Sequence, residues 1–280
     1  MTYLFFRAKL FMKVQSFPSV KNLKVTLIGN SGRGNTGQIT FQSDGSRVYR
    51  NYRLVDFRRF LWYIKAKILR IEYDPNRSAF VALICYSNGI LSYISATEGV
   101  FPGKKISMGD ITRPRFMKIG NTFPINCLSE GAVIHTVEVK PTFGGVLARS
   151  AGTSITILKY LEGDLILAKL PSKEEIVIDT NCIATLGRNT NIDRKFFSYY
   201  KAGQLSNLGV KPKVRGVAKN PVDHPHGGGG GRCLVTPWAK VAKNRRTRNK
   251  LRVSKQIVRS RRLFIRKVFV KKLKEKSKRV

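Results

Sequence analysis

The chain has 280 residues, 42% of them hydrophobic and 10% aromatic, which is enough for about two domains with a real core. Its longest apolar run is seven residues, FVALICY, and its four cysteines form no CxxC pair, so a membrane-spanning helix, a zinc ribbon and a disulfide scaffold are all excluded. The 53 basic and 16 acidic residues give a net charge of +37, which predicts an anionic partner, either nucleic acid or a strongly acidic membrane surface.

The first 35 residues are predicted to form a basic N-terminal arm. No acidic residue precedes Asp44, and residues 1–28 mix Phe, Leu and Val with five basic side chains. This composition fits an RNA-contacting arm, and it also fits a mitochondrial targeting segment, although the small number of serines weakens the targeting interpretation. Both alternatives stay open at the level of sequence.

Residues 36–190 are dominated by short segments rich in β-branched and aromatic residues, such as KILRIEYD, AFVALICYS and SITILKY. Turn signals separate these segments, among them Asp74-Pro75-Asn76, Asn88-Gly89 and Glu162-Gly163-Asp164. Many short strands with frequent turns predict small antiparallel β-barrels and an all-β fold. The GNTFPI loop that begins at residue 120 predicts a boundary between a first barrel at 36–120 and a second at 121–195.

The last third of the chain, residues 196–280, is predicted to be an extended basic tail rich in Gly and Pro. Residues 194–280 contain 27 basic and 2 acidic side chains, a net charge of +25. A tail with this excess of positive charge should become ordered only when it binds a polyanion. Near its end, Ile257, Phe264, Ile265 and Val268 share one helical face. The spacing predicts a short basic amphipathic helix that lies along phosphate, with a membrane-surface role as the alternative.

The segment Gly32-Arg33-Gly34-Asn35-Thr36-Gly37 matches the GxGxxG pattern of dinucleotide-binding folds. Such folds need a helix after the third glycine, because the helix N-terminus binds the pyrophosphate. The residues that follow, QITFQS, have no helical face. A basic loop near RNA is therefore the favoured interpretation.

The segment Asn220-Pro-Val-Asp-His-Pro-His-Gly-Gly-Gly-Gly-Gly-Arg232 is the most informative. Ordering each glycine costs about 0.5–1 kcal/mol relative to alanine, so only a partner with dense contacts could offset the total. A backbone without side chains can approach phosphate or ribose closely. His224 and His226 lack the three or four converging ligands of a zinc site and an oriented catalytic partner, so contact with a base or a phosphate is favoured over metal binding or catalysis.

At these residues the sequence resembles the universal large-subunit ribosomal protein two family, of the bacterial or organellar type. The resemblance covers about residues 30–240 and rests on the following segments: KVRGVAKNPVDHPHGGGGGR with VTPW just after it, YRLVDFRR (52–59), RIEYDPNRSAF (70–80), ALICYSNG (82–89), GNTFPI (120–125), EVKPTFGGVLARSAGT (138–153) and CIATLG (182–187).

The resemblance implies an OB-type RNA-binding barrel, then an SH3-like barrel, then an extended tail. It implies a structural role in the large subunit: binding its rRNA close to the peptidyl transferase centre, among other ribosomal proteins, and supporting association with the small subunit and, indirectly, tRNA binding. Neither a cofactor, a metal, a membrane nor catalysis by the protein itself is implied. His224 matches a family histidine implicated in supporting peptide-bond formation, so it is expected to be a structural or electrostatic helper.

Gly230 stands where the family usually has an acidic residue, which leaves any ion-binding role at that point in doubt. The Phe-, Ile- and Lys-rich ends of the chain favour a mitochondrial ribosome, with a plastid or the bacterial cytoplasm as alternatives. The hypothesis of a different class is a metal- or nucleotide-dependent enzyme that uses the DHPH and GxGxxG segments. The predicted RNA contacts are Arg33, Arg53, Arg58, Arg59, Arg77, Arg149, Lys211, Arg215, Lys219, Asn220, His224, His226, Gly227, Gly228, Gly229, Arg232, Arg245 and Arg246.

Overall fold

The computed structural model describes residues 20–27, 29–45, 48–109, 117–231, 234 and 256–259. The chain divides into two compact units, each formed by separate stretches of sequence. Unit 1 contains residues 1–26, 50–197 and 255–280, and unit 2 contains residues 27–49 and 198–254, each as far as it is described. Residues 1–19 of the predicted N-terminal arm and residues 260–280 of the predicted terminal helix lie outside the described residues.

Short strands make up most of the regular structure, and the only α-helix among the described residues has six residues. The predicted all-β fold is thus confirmed. The elements are β1 (Lys24–Leu27), β2 (Arg50–Arg53), β3 (Ala66–Glu72), β4 (Val81–Tyr86), β5 (Leu91–Ser95), β6 (Lys105–Ile106), β7 (Thr122–Pro124), β8 (Val133–His135), β9 (Ile155–Leu161), β10 (Leu165–Lys169), β11 (Glu175–Asp179), β12 (Ile183–Leu186), α1 (Ala202–Asn207) and β13 (Ile257–Arg259).

The first large sheet of unit 1 has the strand order β5-β4-β3-β6 and is antiparallel throughout. Its central strand β4 is an almost uninterrupted apolar run because both of its faces are buried. Ala82 and Ile84 pack into one apolar cluster, and Val81 and Leu83 pack with Tyr93 into another. Apolar clusters therefore cover both faces of the first sheet at β4.

The second large sheet has the order β13-β11-β10-β9-β8-β12-β7. Buried positions alternate with half-buried or exposed ones along β10 and with half-buried ones along β11, as expected for strands with one face on a core. That core is built mainly from isoleucines, including Ile134, Ile155 and Ile166, which are fully buried. The two sheets, in chain order, agree with the predicted OB-type and SH3-like barrels.

The turn residues predicted from sequence lie between strands in the structure. Gly89 has φ +82° and lies in the reversal between β4 and β5, while Gly163 and Asp164 have φ +74° and +54° and connect β9 to β10. Left-handed residues suit tight hairpins because they match the right-handed twist of the strands. These two turn predictions are confirmed. In contrast, Ile257 lies in β13 rather than in a helix, so the predicted helical face does not include it.

Buried polar contacts join the two sheets of unit 1. The Ser95 hydroxyl lies 2.7 Å from the Asn189 Oδ1, and the Thr97 Oγ1 lies 2.8 Å from the His135 Nε2. The other ring nitrogen of His135 lies 2.9 Å from the Thr136 hydroxyl, so both nitrogens have a hydroxyl partner. Burial, followed by the nearby charge of Arg59, lowers the pKa of His135 to about 3. The imidazole is therefore neutral at physiological pH.

We expect the neutral state of His135 to make the stability of unit 1 sensitive to acid. In the unfolded chain this histidine takes up a proton below about pH 6.5, whereas in the folded chain it stays neutral down to a pKa of about 3. Unfolding therefore binds a proton in this range, and the free energy of unfolding falls by roughly 1.4 kcal/mol for each pH unit below ~6.5. Urea unfolding of the full chain should lose about 2 kcal/mol more between pH 6.5 and 5 than unfolding of His135→Gln; equal losses would contradict this assignment.

Unit 2 is formed by two stretches that are distant in sequence. Asp44 pairs with Val210 in an isolated antiparallel bridge, the Gly45 N–H donates to the Gly209 carbonyl at 2.8 Å, and the Lys211 N–H donates to the Ser43 carbonyl at 3.0 Å. Helix α1 precedes this contact.

No helix in the described part of the chain has the length and hydropathy needed to cross a membrane.

Candidate RNA interface

Arg53 lies in a buried ion network in the first barrel. Its Nε lies 3.1 Å from the Glu72 carboxylate, which also accepts a hydrogen bond from the Arg70 Nε at 2.7 Å and from the Tyr93 hydroxyl at 3.0 Å. Glu72 is fully buried and Arg53 is only 8% exposed. The Arg53 guanidinium therefore has internal partners, and its role in this structure is to hold β2 against β3.

Arg59 is also an interior residue, with 2% of its surface exposed. Among the described residues, none accepts a hydrogen bond from its guanidinium nitrogens. Burial lowers its pKa, and the charges of Asp56 and Tyr86 act in the opposite direction. Arg53 and Arg59 are thus interior groups in this structure, and their predicted RNA contacts stay predictions.

Arg77 and Arg149 converge on one aromatic ring at the surface of unit 1. Their guanidinium carbons lie 5.7 and 4.8 Å from the centroid of the Phe57 ring, within the range of cation–π attraction. Arg77 is also bound to the buried Asp74 carboxylate at 2.6 Å, whereas Arg149 is exposed. Arg58 is exposed next to them, with its guanidinium 5.6 Å from the ring of Phe60. The structure brings these predicted basic residues together, but the phenylalanines between them were not predicted.

In unit 2, the DHPH segment folds into a compact loop held by its own backbone. The Asn220 carbonyl accepts from the Asp223 and His224 N–H groups at 3.0 and 3.2 Å, and the His224 carbonyl accepts from the Gly227 N–H at 2.8 Å. The His226 N–H donates to Nδ1 of His224 at 3.0 Å. Since Nδ1 is an acceptor, the proton of the neutral His224 ring lies on Nε2, which is left to donate to a partner.

The five consecutive glycines have unequal structural roles. A Cβ on Gly227 would lie 2.3 Å from the carbonyl oxygen of Asn220, so no side chain fits there without movement of the backbone. Gly228 and Gly229 have φ +95° and +101°, a region that other residues rarely adopt. A Cβ built on Gly230 or Gly231 would meet no atom of the described residues within 4 Å, and neither glycine has a positive φ. The requirement for glycine is therefore local to the start of the run.

The remaining predicted RNA contacts of unit 2 lie mostly on its surface. Arg33, Lys211, Arg215 and Asn220 are exposed, and Lys219 is half-buried. Arg33 also donates to the Gly37 carbonyl at 3.0 Å, so part of its donor capacity is used within its own loop. Three predicted contacts lie outside the described residues: Arg232, Arg245 and Arg246.

The geometry gives the nucleotide- and metal-dependent enzyme hypothesis no support. The GxGxxG segment is a loop closed by a bridge between Arg33 and Ile39, and no helix follows it within residues 38–45. No group of three or more His, Cys, Asp or Glu side chains converges within the described parts of the chain. Cys182 is buried, and burial, together with Glu138 and Asp179, raises its pKa to about 12, so its thiol remains protonated rather than becoming a nucleophile.

A highly basic all-β chain, with surface arginines around aromatic rings and a glycine loop whose backbone is exposed, has the features of an RNA-binding β-barrel protein. Residues 20–108 match the family model "Ribosomal Proteins L2, RNA binding N-terminal domain", and residues 118–246 match "Ribosomal Proteins L2, C-terminal domain". The chain belongs to the ribosomal protein L2 family.

Curated relatives agree with the family models. The "Large ribosomal subunit protein uL2" of Bartonella bacilliformis is 44% identical over 247 residues, which cover 86% of this chain and 88% of the relative. The proteins of the same name from Paracoccus denitrificans and Rhizobium rhizogenes are each 43% identical, with 86% of this chain covered and 87% and 88% of the relatives. The family resemblance found from the sequence motifs is thus confirmed.

Proposed function

We propose that this chain is a structural, rRNA-binding component of a large ribosomal subunit, where it lies among other ribosomal proteins, and is not an enzyme. The observation that carries the proposal is the match of both family domains, one after the other, over most of the chain. The net charge of +37 supports it, because phosphate neutralisation with release of counterions supplies much of the affinity of proteins for nucleic acids.

At the level of residues, we infer two surfaces that contact RNA. On unit 1, the exposed guanidinium groups of Arg58 and Arg149 face solvent and suit phosphate contacts. On unit 2, the exposed backbone that follows Gly227 suits a crowded RNA groove, because it presents N–H groups without side chains. Lys219 and Asn220 are joined to the start of the glycine run by hydrogen bonds or close contact, and Lys211 and Arg215 add exposed basic side chains to the same unit.

We infer that His224 acts as a hydrogen-bond donor near the peptidyl transferase centre rather than as a base. Its Nδ1 is already engaged by the His226 N–H at 3.0 Å, so Nε2–H is the group available to RNA. The histidine then positions RNA, and the chemistry of peptide-bond formation stays with the RNA. Support of subunit association and, indirectly, of tRNA binding is part of the same proposal.

We propose a mitochondrial ribosome as the location, because residues 1–28 contain no acidic side chain and the ends of the chain are rich in Phe, Ile and Lys. The relatives named above are bacterial, so a plastid or a bacterial cytoplasm is the alternative that an experiment must separate.

Gradient fractionation of separated organelles and cytosol, with mass spectrometry of the N-terminus, tests both parts of the proposal. We expect the protein to sediment with the large ribosomal subunit of the mitochondrial fraction and to leave that peak after ribonuclease treatment. Sedimentation with the large subunit of another compartment would contradict the proposed location and leave the proposed function standing. A protein that stays in the ribosome-free fractions would contradict the function.

A further inference from the structure

Unit 1 has an open cleft with a volume of about 590 Å³. It forms where the loop after β2 meets the loop that follows Glu138. A volume in the range of roughly 300–1,000 Å³ is typical of clefts that hold small ligands. We call it the aromatic cleft, and the residues that define it are Phe57, Arg58, Phe60, Phe143, Gly144 and Arg149.

Two large apolar rings in this cleft are exposed to solvent. The side chains of Phe60 and Phe143 are 69% and 70% exposed, although each ring would gain by being covered. Each has a cation near it: the Arg58 guanidinium is 5.6 Å from the Phe60 ring, and the Lys140 ammonium is 5.9 Å from the Phe143 ring. Exposed rings beside cations would suit a ligand that is both flat and anionic.

One hydrogen bond between its two loops and one within the second loop hold the aromatic cleft in shape. The Gly145 N–H donates to the Phe57 carbonyl at 2.8 Å, and the Gly144 N–H donates to the buried Glu138 carboxylate at 2.7 Å. A Cβ on Gly144 would lie 2.9 Å from the Arg58 side chain, and the φ of Gly144 is +87°. The glycine pair lets the loops approach closely, so little ordering is needed when a ligand binds.

Charge in the aromatic cleft favours an anion. Among the described residues that line it, Asp56 is the one acidic side chain, against Arg58 and Arg149. The Asp56 Oδ1 accepts hydrogen bonds from the backbone N–H groups of Arg58 and Arg59 at 3.0 and 2.8 Å, which offsets part of its charge locally. The two arginines are exposed and have no carboxylate partner within 4 Å among the described residues.

We propose that the aromatic cleft holds one unpaired nucleotide of the rRNA, with its base stacked on Phe60 or Phe143 and its phosphate beside Arg58 or Arg149. The inference rests on the proposed rRNA-binding function and names the form of RNA that this surface takes. Proteins recognise single-stranded RNA by stacking splayed bases on aromatic side chains, whereas the bases of a duplex are stacked on each other and cannot enter a cleft. Stacking on an aromatic ring is possible for any base, so the cleft selects a nucleotide because it is unpaired and not because of its sequence.

The test compares binding of the full chain to a labelled single-stranded RNA of about 12 nucleotides and to a blunt duplex of the same length, at ~0.3 M salt to weaken phosphate contacts. We expect Phe60→Ala/Phe143→Ala to bind the single strand roughly 5- to 100-fold more weakly and the duplex within about twofold of wild type. The matched control is Phe101→Ala, because Phe101 is 62% exposed and lies outside the lining of the cleft. It should bind both RNAs like wild type.

A second pair of variants separates stacking from folding. Phe60→Tyr/Phe143→Tyr keeps both rings and should bind the single strand like wild type, whereas Phe60→Leu/Phe143→Leu keeps apolar bulk without a ring and should bind it as weakly as the alanine variant. Equal loss for single strand and duplex, or no loss for either, would overturn the proposal. A wild-type chain that binds neither RNA would instead contradict the proposed function itself.

Discussion

Glu72→Ala is expected to lower the free energy of unfolding of the first barrel by about 3–5 kcal/mol, because removal of one member of a buried ion network leaves the others without compensation. The Glu72 carboxylate is fully buried and accepts from the Arg53 and Arg70 Nε atoms at 3.1 and 2.7 Å and from the Tyr93 hydroxyl at 3.0 Å. Burial raises the pKa of Tyr93, which keeps this hydroxyl protonated and able to donate. Urea unfolding of the full chain, followed by intrinsic fluorescence, measures the loss.

The control for this change is Glu162→Ala, which removes the same charge from an exposed position between β9 and β10. An exposed carboxylate should contribute less than about 0.5 kcal/mol. If both variants unfold at the same urea concentration, the Glu72 network does not stabilise the barrel as described.

Gly227→Ala is expected to lower the peptide-synthesis activity of large subunits reconstituted with the variant by roughly tenfold or more. The added Cβ would lie 2.3 Å from the Asn220 carbonyl oxygen, so the backbone of the DHPH loop must move. Displacements of about 1 Å near a catalytic centre can cost on the order of 100-fold in rate. Activity is measured per assembled subunit, so that a failure of assembly is scored separately.

Gly230→Ala is the matched variant for this prediction, since no atom of the part of the chain that the structure describes lies within 4 Å of a Cβ at Gly230 and the φ of Gly230 is not positive. It introduces the same methyl group three residues along the same run, and its activity should stay near that of wild type. If subunits with Gly227→Ala were as active as those with Gly230→Ala and as wild type, the loop would tolerate a side chain at Gly227, and the prediction would be wrong.

Much of the fold could be predicted from the sequence because its signals are local. Strands such as β4 are continuous apolar runs, and turn residues such as Gly89 and Asp164 mark the hairpins directly. The family motifs were equally visible. What was missed depends on contacts between distant residues, because Arg53 and Glu72 meet across 19 positions and no local pattern joins them.

One signal could have pointed to that pair. Glu72 is the one acidic residue of β3, and after a register shift between Ile68 and Arg70 it lies opposite Val81 on a buried face of the sheet. A buried carboxylate needs a cation, and the predicted RNA contact Arg53 is one of the two that Glu72 has, together with Arg70. The aromatic cleft had no comparable signal, because Phe60 and Phe143 come from loops that only the folded chain brings together.

Strand β13 has a consequence for synthesis of the chain on a ribosome. Ile257 pairs with Ile176, and Arg259 pairs with Glu175. The hydrogen-bonding edge of β11 therefore stays unpaired until a segment about 80 residues further along the chain has been synthesised. At roughly 5–20 residues per second, that edge stays open for several seconds of translation. Open strand edges can pair with other chains, and the nascent protein therefore carries an aggregation-prone edge until residues 257–259 have emerged.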